Sequence, residues 1–248
     1  MLRNIKSEHK ISNLVITTNG YKLNEIAEEL IGTGINGINI SIDSLDRNKF
    51  KEITGQDRLP QILEGVNILQ NKGFKNIKVN AVLLKNVNDS LEEFQNWERF
   101  INNNEIDFRY IELMQTGDNL EYFKKYHTSA FIFKKYIESQ DWKEISRIGD
   151  AGPSINYVHS KLKGKFGIIA PYSKDFCSTC NRLRITAKGE LRLCLFGNTG
   201  TNLRPYLQNQ NQKDELIELI LKQLRFKKES HYLETGNTGI TPHLASIG

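Results

Sequence analysis

Residues 14–42 read LVITTNGYKLNEIAEELIGTGINGINISI. Leu14–Thr17 is a short apolar run closed by the polar turn residues of TTNG, as a buried strand is. Leu23, Ile26, Ala27, Leu30 and Ile31 then recur at intervals of one, three and four, which predicts a helix over residues 22–31 with one apolar face. A second apolar run, GINISI, follows at Gly37–Ile42. Strand, helix and strand in this order form a βαβ unit, the building block of parallel sheets.

The pattern repeats downstream. Leu59–Gln70 places Ile62, Leu63, Val66 and Leu69 on one helical face, and Ile77–Leu84 is a third strand. Ser90, with Glu92 and Glu93 behind it, opens a helix running to about Ile101, and Ile106–Ile111 is a fourth strand. The class is therefore α/β. Polar residues gather where the strands end: Thr17, Thr18 and Asn19, then Ser41 and Asp43, with Asn80 inside the third strand and Glu112 after the fourth. Open α/β sheets and barrels place their sites at these carboxyl ends. The same residues would also serve as caps for the helices that follow.

The alternation stops near Met114. Residues 115–150 are polar and aromatic, and FKKYHTSAFIFKKYIE (123–138) predicts one helix with a packed aromatic face and solvated lysines. Gly152, Pro153, Gly164 and Gly167 mark a loop leading into a short strand, KFGIIA. A hairpin is expected around AKGE (187–190), and a last helix over Lys213–Phe226 with Leu216, Leu219, Ile220 and Leu224 on its apolar side. The first thirteen residues set up no pattern. We expect a division into residues 1–114 and 115–248.

A net charge of +5, from 34 Lys and Arg against 29 Asp and Glu, suits a small anionic ligand and is too diffuse to argue for nucleic acid. There is no run of eighteen apolar residues of the kind that spans a membrane and no apolar signal region at the start. Three cysteines, an odd number, do not make a disulfide framework, so a reducing, cytoplasmic setting is expected.

All three cysteines lie in FCSTCNRLRITAKGELRLCLFG (176–197). Cys177 and Cys180 form a C-x2-C pair and Cys194 follows, which is metal-ligand spacing with one coordination position left open. Zinc would need a fourth ligand, for which His159 and His231 are candidates in a zinc-stabilised structural protein. Arg182 and Arg184 alternate with Leu183 and Ile185, so on a strand both guanidinium groups share a face and can grip a phosphate.

This segment, with TTNG at 17–20, NISIDSLD at 39–46, IKVNAVLLKNVND at 77–89 and FRYIELMQTG at 108–117, resembles the GTP 3',8-cyclases, radical-SAM lyases of the first step of molybdenum cofactor (molybdopterin) biosynthesis. The resemblance implies an incomplete (β/α) TIM-like barrel, missing its first strands, with a C-terminal extension carrying a second [4Fe–4S] cluster. It implies conversion of GTP to 3',8-cyclo-7,8-dihydro-GTP through a 5'-deoxyadenosyl radical made from S-adenosylmethionine (SAM) at a first [4Fe–4S] cluster. Carried over residue by residue, Cys177, Cys180 and Cys194 would hold the second cluster, and Arg182 and Arg184 would be active-site arginines touching GTP. Lys78 would also touch GTP, and Thr17, Ser41, Arg109 and Met114 would contact SAM. Implied partners are a flavodoxin- or ferredoxin-type reductant, the downstream cyclic pyranopterin monophosphate synthase and a second copy of the chain, with no nucleic acid and no membrane. The C-x3-C-x2-C and GGEP segments of that family are not in these residues, and the chain ends Ser246-Ile247-Gly248 where the family carries two glycines. The sequence thus reads as an N-terminally truncated member, for which GTP and cluster binding without catalysis is the alternative.

Overall fold

The computed structural model describes residues 1–8, 11–146, 152–173, 176–178, 180–197, 200–227 and 233. The chain divides into two compact units, Met1–Leu113 with Thr128–Ile169, and Met114–His127 with Ala170–Gly248.

The first unit is built on a seven-stranded sheet. Its strands are β1 (Val15–Thr18), β2 (Gly37–Ser41), β3 (Ile77–Leu83), β4 (Asp107–Glu112), β5 (Trp142–Ile145), β6 (Ile155–His159) and β7 (Lys165–Ile169). They lie in the order β1-β2-β3-β4-β7-β6-β5. Neighbours from β1 to β4 and on to β7 are parallel, as the βαβ reading requires, whereas β6 and β5 run antiparallel at the far edge. The sheet is open, and no closed barrel forms among the described residues.

Helix α1 (Leu2–Glu8) precedes β1, and α2 (Leu23–Gly32), α3 (Arg47–Thr54), α4 (Leu59–Asn71) and α5 (Leu91–Asn104) intervene between the strands. One of these ends was written plainly in the sequence. Ser90 accepts a hydrogen bond from the Glu93 N–H at the start of α5, with Glu92 and Glu93 in its first turn, where the helix dipole favours them. Gly65 lets α4 approach α2, since a Cβ there would stand 2.6 Å from the Leu23 side chain and 2.8 Å from the backbone of Asn24.

One face of the sheet is apolar. Ile38, Ile40, Val79, Ala81, Phe108, Tyr110 and Ile168 are wholly withdrawn from water. Trp97 of α5 stacks on Phe108 at 4.0 Å, and Phe94 meets Phe133 and Phe166 at 4.8 and 4.7 Å. Asn88 locks the ends of β2 and β3 together. Its Nδ2 donates to the carbonyls of Asp43 and Val82, and its Oδ1 accepts from the Leu84 N–H.

The second unit holds α6 (Leu120–Tyr126), a small antiparallel sheet of β8 (Arg184–Ile185), β9 (Glu190–Arg192) and β10 (Thr201–Asn202), and α8 (Lys213–Leu224). The hairpin expected around residues 187–190 is the β8–β9 turn, with Gly189 at φ +77°.

Four sequence expectations need correction. The single helix over 123–138 is broken: α6 ends at His127, Ser129 caps a short 3-10 turn (Ala130–Phe133), and α7 (Lys134–Ser139) follows. The break falls where the chain leaves one unit for the other. The opening residues, expected to be patternless, form α1, and α3 stands where no helix was expected. Strands β5 and β6 extend the sheet beyond the loop expected there.

Candidate functional site

The second face of the large sheet is polar, because residues alternate sides along each strand and the alternating partners here are hydrophilic. Register gathers them into two rows. Thr17 lies beside Asn39, Asn39 beside Lys78, and Lys78 beside Asp107. Ser41 lies beside Asn80, Asn80 beside Arg109, and Arg109 beside Gly167. Thus Thr17, Ser41, Lys78 and Arg109, four of the residues singled out from sequence, share one face of one sheet. Asn39 donates to Thr17 Oγ1 at 3.2 Å. Thr18 and Asn19 are instead occupied by the turn, accepting from the N–H groups of Gly20 and Tyr21.

The second row carries unspent hydrogen-bonding capacity. Asn80 Oδ1 and Arg109 Nε are buried and have no hydrogen-bond partner among the described residues. Such atoms cost free energy unless a ligand or water completes them. Arg109 can cross the sheet only because its neighbour is a glycine: a Cβ on Gly167 would stand 3.0 Å from Arg109 Cγ and 2.5 Å from Ser154 Oγ. Burial, and then the nearby Arg109 guanidinium, hold the Lys78 ammonium below the ordinary lysine value, against the pull of Asp107. Burial likewise lowers Arg109. Two cations on one face, both short of water, form a site that an anion would relieve.

In the second unit, the loop after β4 is pinned by its own polar groups. Asn119 donates to the Met114 carbonyl at 3.0 Å and accepts from the Thr116 N–H, while the Gln115 N–H donates to the Tyr172 hydroxyl at 2.9 Å. Met114 is half-buried at the head of this loop.

The cysteine segment begins with a turn in which the Cys180 N–H donates to the Cys177 carbonyl at 3.0 Å. Cys177 and Cys194 are half-buried and Cys180 is exposed. Desolvation raises the Cys180 thiol, yet the Arg182 backbone N–H and the cations Lys227, Arg182 and Arg184 outweigh it and hold the thiol below its ordinary value. Only Arg184 of the arginine pair lies in a strand. The expected alternation persists all the same, with Arg182 and Arg184 half-buried and Leu183 and Ile185 exposed. Among the described residues the Arg184 side chain makes no hydrogen bond or ion pair, which leaves its fork open to a phosphate.

Three soft thiols in a C-x2-C turn and a following strand end fit an iron–sulfur cluster by donor type. The sulfurs are not drawn together: among the described residues no three His, Cys, Asp or Glu side chains converge as metal ligands. His159, weighed as a fourth zinc ligand, lies in the first unit, where its Nδ1 accepts from the Lys161 N–H and its ring meets Trp142. His231 lies outside the described residues. Sequence reasoning placed Asn80 among the polar strand residues without assigning it a ligand, and did not reach Lys227, whose contacts with Cys180 and Arg182 span 47 and 45 residues.

The pattern of the radical SAM superfamily matches residues 1–98, and that of Molybdenum Cofactor Synthesis C matches residues 106–233. The chain is 47% identical over 238 residues to a GTP 3',8-cyclase of Stenotrophomonas maltophilia (strain K279a), covering 96% of this chain and 72% of that one. It is 42% identical over 249 residues to the GTP 3',8-cyclase of Yersinia pestis, covering 100% and 76%. The chain belongs to the GTP 3',8-cyclase family. A radical SAM methyltransferase from Sphaerobacter thermophilus aligns at a TM-score of 0.41 and 14% identity, over 50% of this chain and 36% of that one, which is too remote to carry an argument. Among the described residues no helix is long and apolar enough to cross a membrane.

Proposed function

We propose that the chain works in the cytoplasm in the conversion of GTP to 3',8-cyclo-7,8-dihydro-GTP, the first step of molybdenum cofactor biosynthesis. Residues 1–114 would carry the SAM-facing part of the barrel, and residues 115–248 its remaining elements together with the region that holds the substrate cluster. The observation that carries the reading is Arg184, a half-buried guanidinium that makes no hydrogen bond or ion pair among the described residues and acts as a cation on Cys180, four positions before it in the C-x2-C turn.

Arg182 and Arg184 would take the phosphates of GTP, since a guanidinium fork matches a phosphate in two parallel hydrogen bonds. Lys78 would add a cation whose lowered proton affinity an anionic ligand would restore. Thr17, Ser41, Arg109 and Met114 would contact SAM, with the orphaned Arg109 Nε supplying a ready donor. Cys177, Cys180 and Cys194 would hold a [4Fe–4S] cluster, which when bound supplies an iron with an open coordination position. These 248 residues contain one cysteine triplet, so the cluster that cleaves SAM would need ligands beyond it. GTP and cluster binding is therefore the part of the reading that this triplet can carry alone.

The test is anaerobic reconstitution of the chain with iron and sulfide, followed by metal analysis and electron paramagnetic resonance with and without GTP. About four irons per chain and a spectrum that GTP perturbs are expected. Bound zinc in place of iron, or a folded protein without metal, would overturn it.

A further inference from the structure

Lys227 lies just beyond the end of α8, yet its ammonium reaches back to the cysteine–arginine segment. Nζ donates to the Arg182 carbonyl at 2.6 Å and reaches Cys180 Sγ at 3.8 Å. The first is a short, charge-assisted bond. Residues 180–183 have no regular secondary structure, so no helix or strand ladder fixes the stretch between the C-x2-C turn and β8. An ammonium has three donors, enough to hold a carbonyl and a sulfur together.

From this geometry we infer that Lys227 is a positioning residue for the substrate cluster: it fixes the Arg182 carbonyl and gives the Cys180 sulfur a cationic N–H donor. The inference rests on the reading that Cys177, Cys180 and Cys194 hold a [4Fe–4S] cluster. A reduced cluster carries one more negative charge than an oxidised one, and hydrogen bonds to its sulfurs set its potential. A cation at Cys180 favours the reduced form and raises the potential. The bond to Arg182 acts on a second property, because the placement of the arginine decides how its fork meets a phosphate.

The experiment compares the wild-type chain with Lys227→Met, which removes both charge and donors at similar length, and with Lys227→Arg, which keeps them. Each is reconstituted anaerobically, and its iron is counted. The cluster potential is read by a titration followed by electron paramagnetic resonance. We expect the Met variant to move to a more negative potential with an altered signal, and the Arg variant to recover most of the wild-type value. A Met variant with wild-type iron, potential and signal overturns the inference. If the Met variant loses its iron, the Arg variant decides: restored iron supports a charge-and-donor role, and continued loss refutes it. A wild-type chain that binds no iron overturns the cluster reading itself, an outcome visible before any variant is made.

Discussion

Replacing Asn80 with Leu tests whether the polar face of the large sheet is held ready for a ligand. Asn80 sits in the interior of β3 with its Oδ1 buried and without a partner among the described residues. A buried acceptor left unmade costs about 1–3 kcal/mol. Leucine is similar in size and better suited to a strand. The substitution should therefore stabilise the ligand-free chain by about 2 kcal/mol, a rise in Tm of about 4–8 °C for a chain of this length. Binding should move the other way. Loss of one hydrogen bond worth about 1–1.5 kcal/mol would weaken SAM by roughly five- to twelvefold. Urea denaturation followed by circular dichroism, with calorimetric titration of SAM on the same samples, measures both. A variant that is less stable than wild type would show that Oδ1 is already satisfied. Unchanged SAM affinity would remove Asn80 from the site.

Asn88→Ala should cost about 3–5 kcal/mol, because three buried hydrogen-bond partners at the ends of β2 and β3 are left unmade; a loss below about 1 kcal/mol in urea denaturation would contradict that accounting. Burial raises the Asp43 carboxyl above its ordinary value, against the Val82 N–H that it accepts. Its contribution to stability is thus whole below the ordinary carboxylate range and is lost as pH rises through the raised folded value. Asp43→Asn, which keeps an acceptor for Val82, should flatten that slope and exceed wild type at neutral pH, as a series of unfolding curves across pH would show. Gly167→Ala puts a methyl group against Ser154 Oγ and Arg109 Cγ, and should cost about 1–3 kcal/mol by overpacking; an unchanged Tm would mean that Arg109 moves aside freely.

The parallel half of the fold was legible because its signal is dense. Ile38, Ile40, Val79 and Ala81 are apolar in strands flanked by helices of clear period, and Ser90 marks its helix by a local rule. Helix α3 was not legible: RNKFKEIT buries only Phe50, and its ends depend on the Asp46 cap and on Gly55 at φ +70°. Strands β5 and β6 were hidden for a related reason, since WKEI and INYVH are short and each buries one residue. The break at residues 127–129 separates two runs that both favour helix, and a change of unit overrides that local preference. In the site, the C-x2-C spacing and the arginine alternation could be read directly. The orphaned Asn80 oxygen and the reach of Lys227 depend on contacts between distant residues, to which periodicity is blind.

Both tryptophans belong to the first unit: Trp97 stacks on Phe108, and Trp142 donates its indole N–H to Glu98. Intrinsic tryptophan emission therefore reports on the sheet unit and says nothing directly about the unit that carries the cysteines. A melt followed at that wavelength would score a chain as intact even after its thiol-bearing half had come apart.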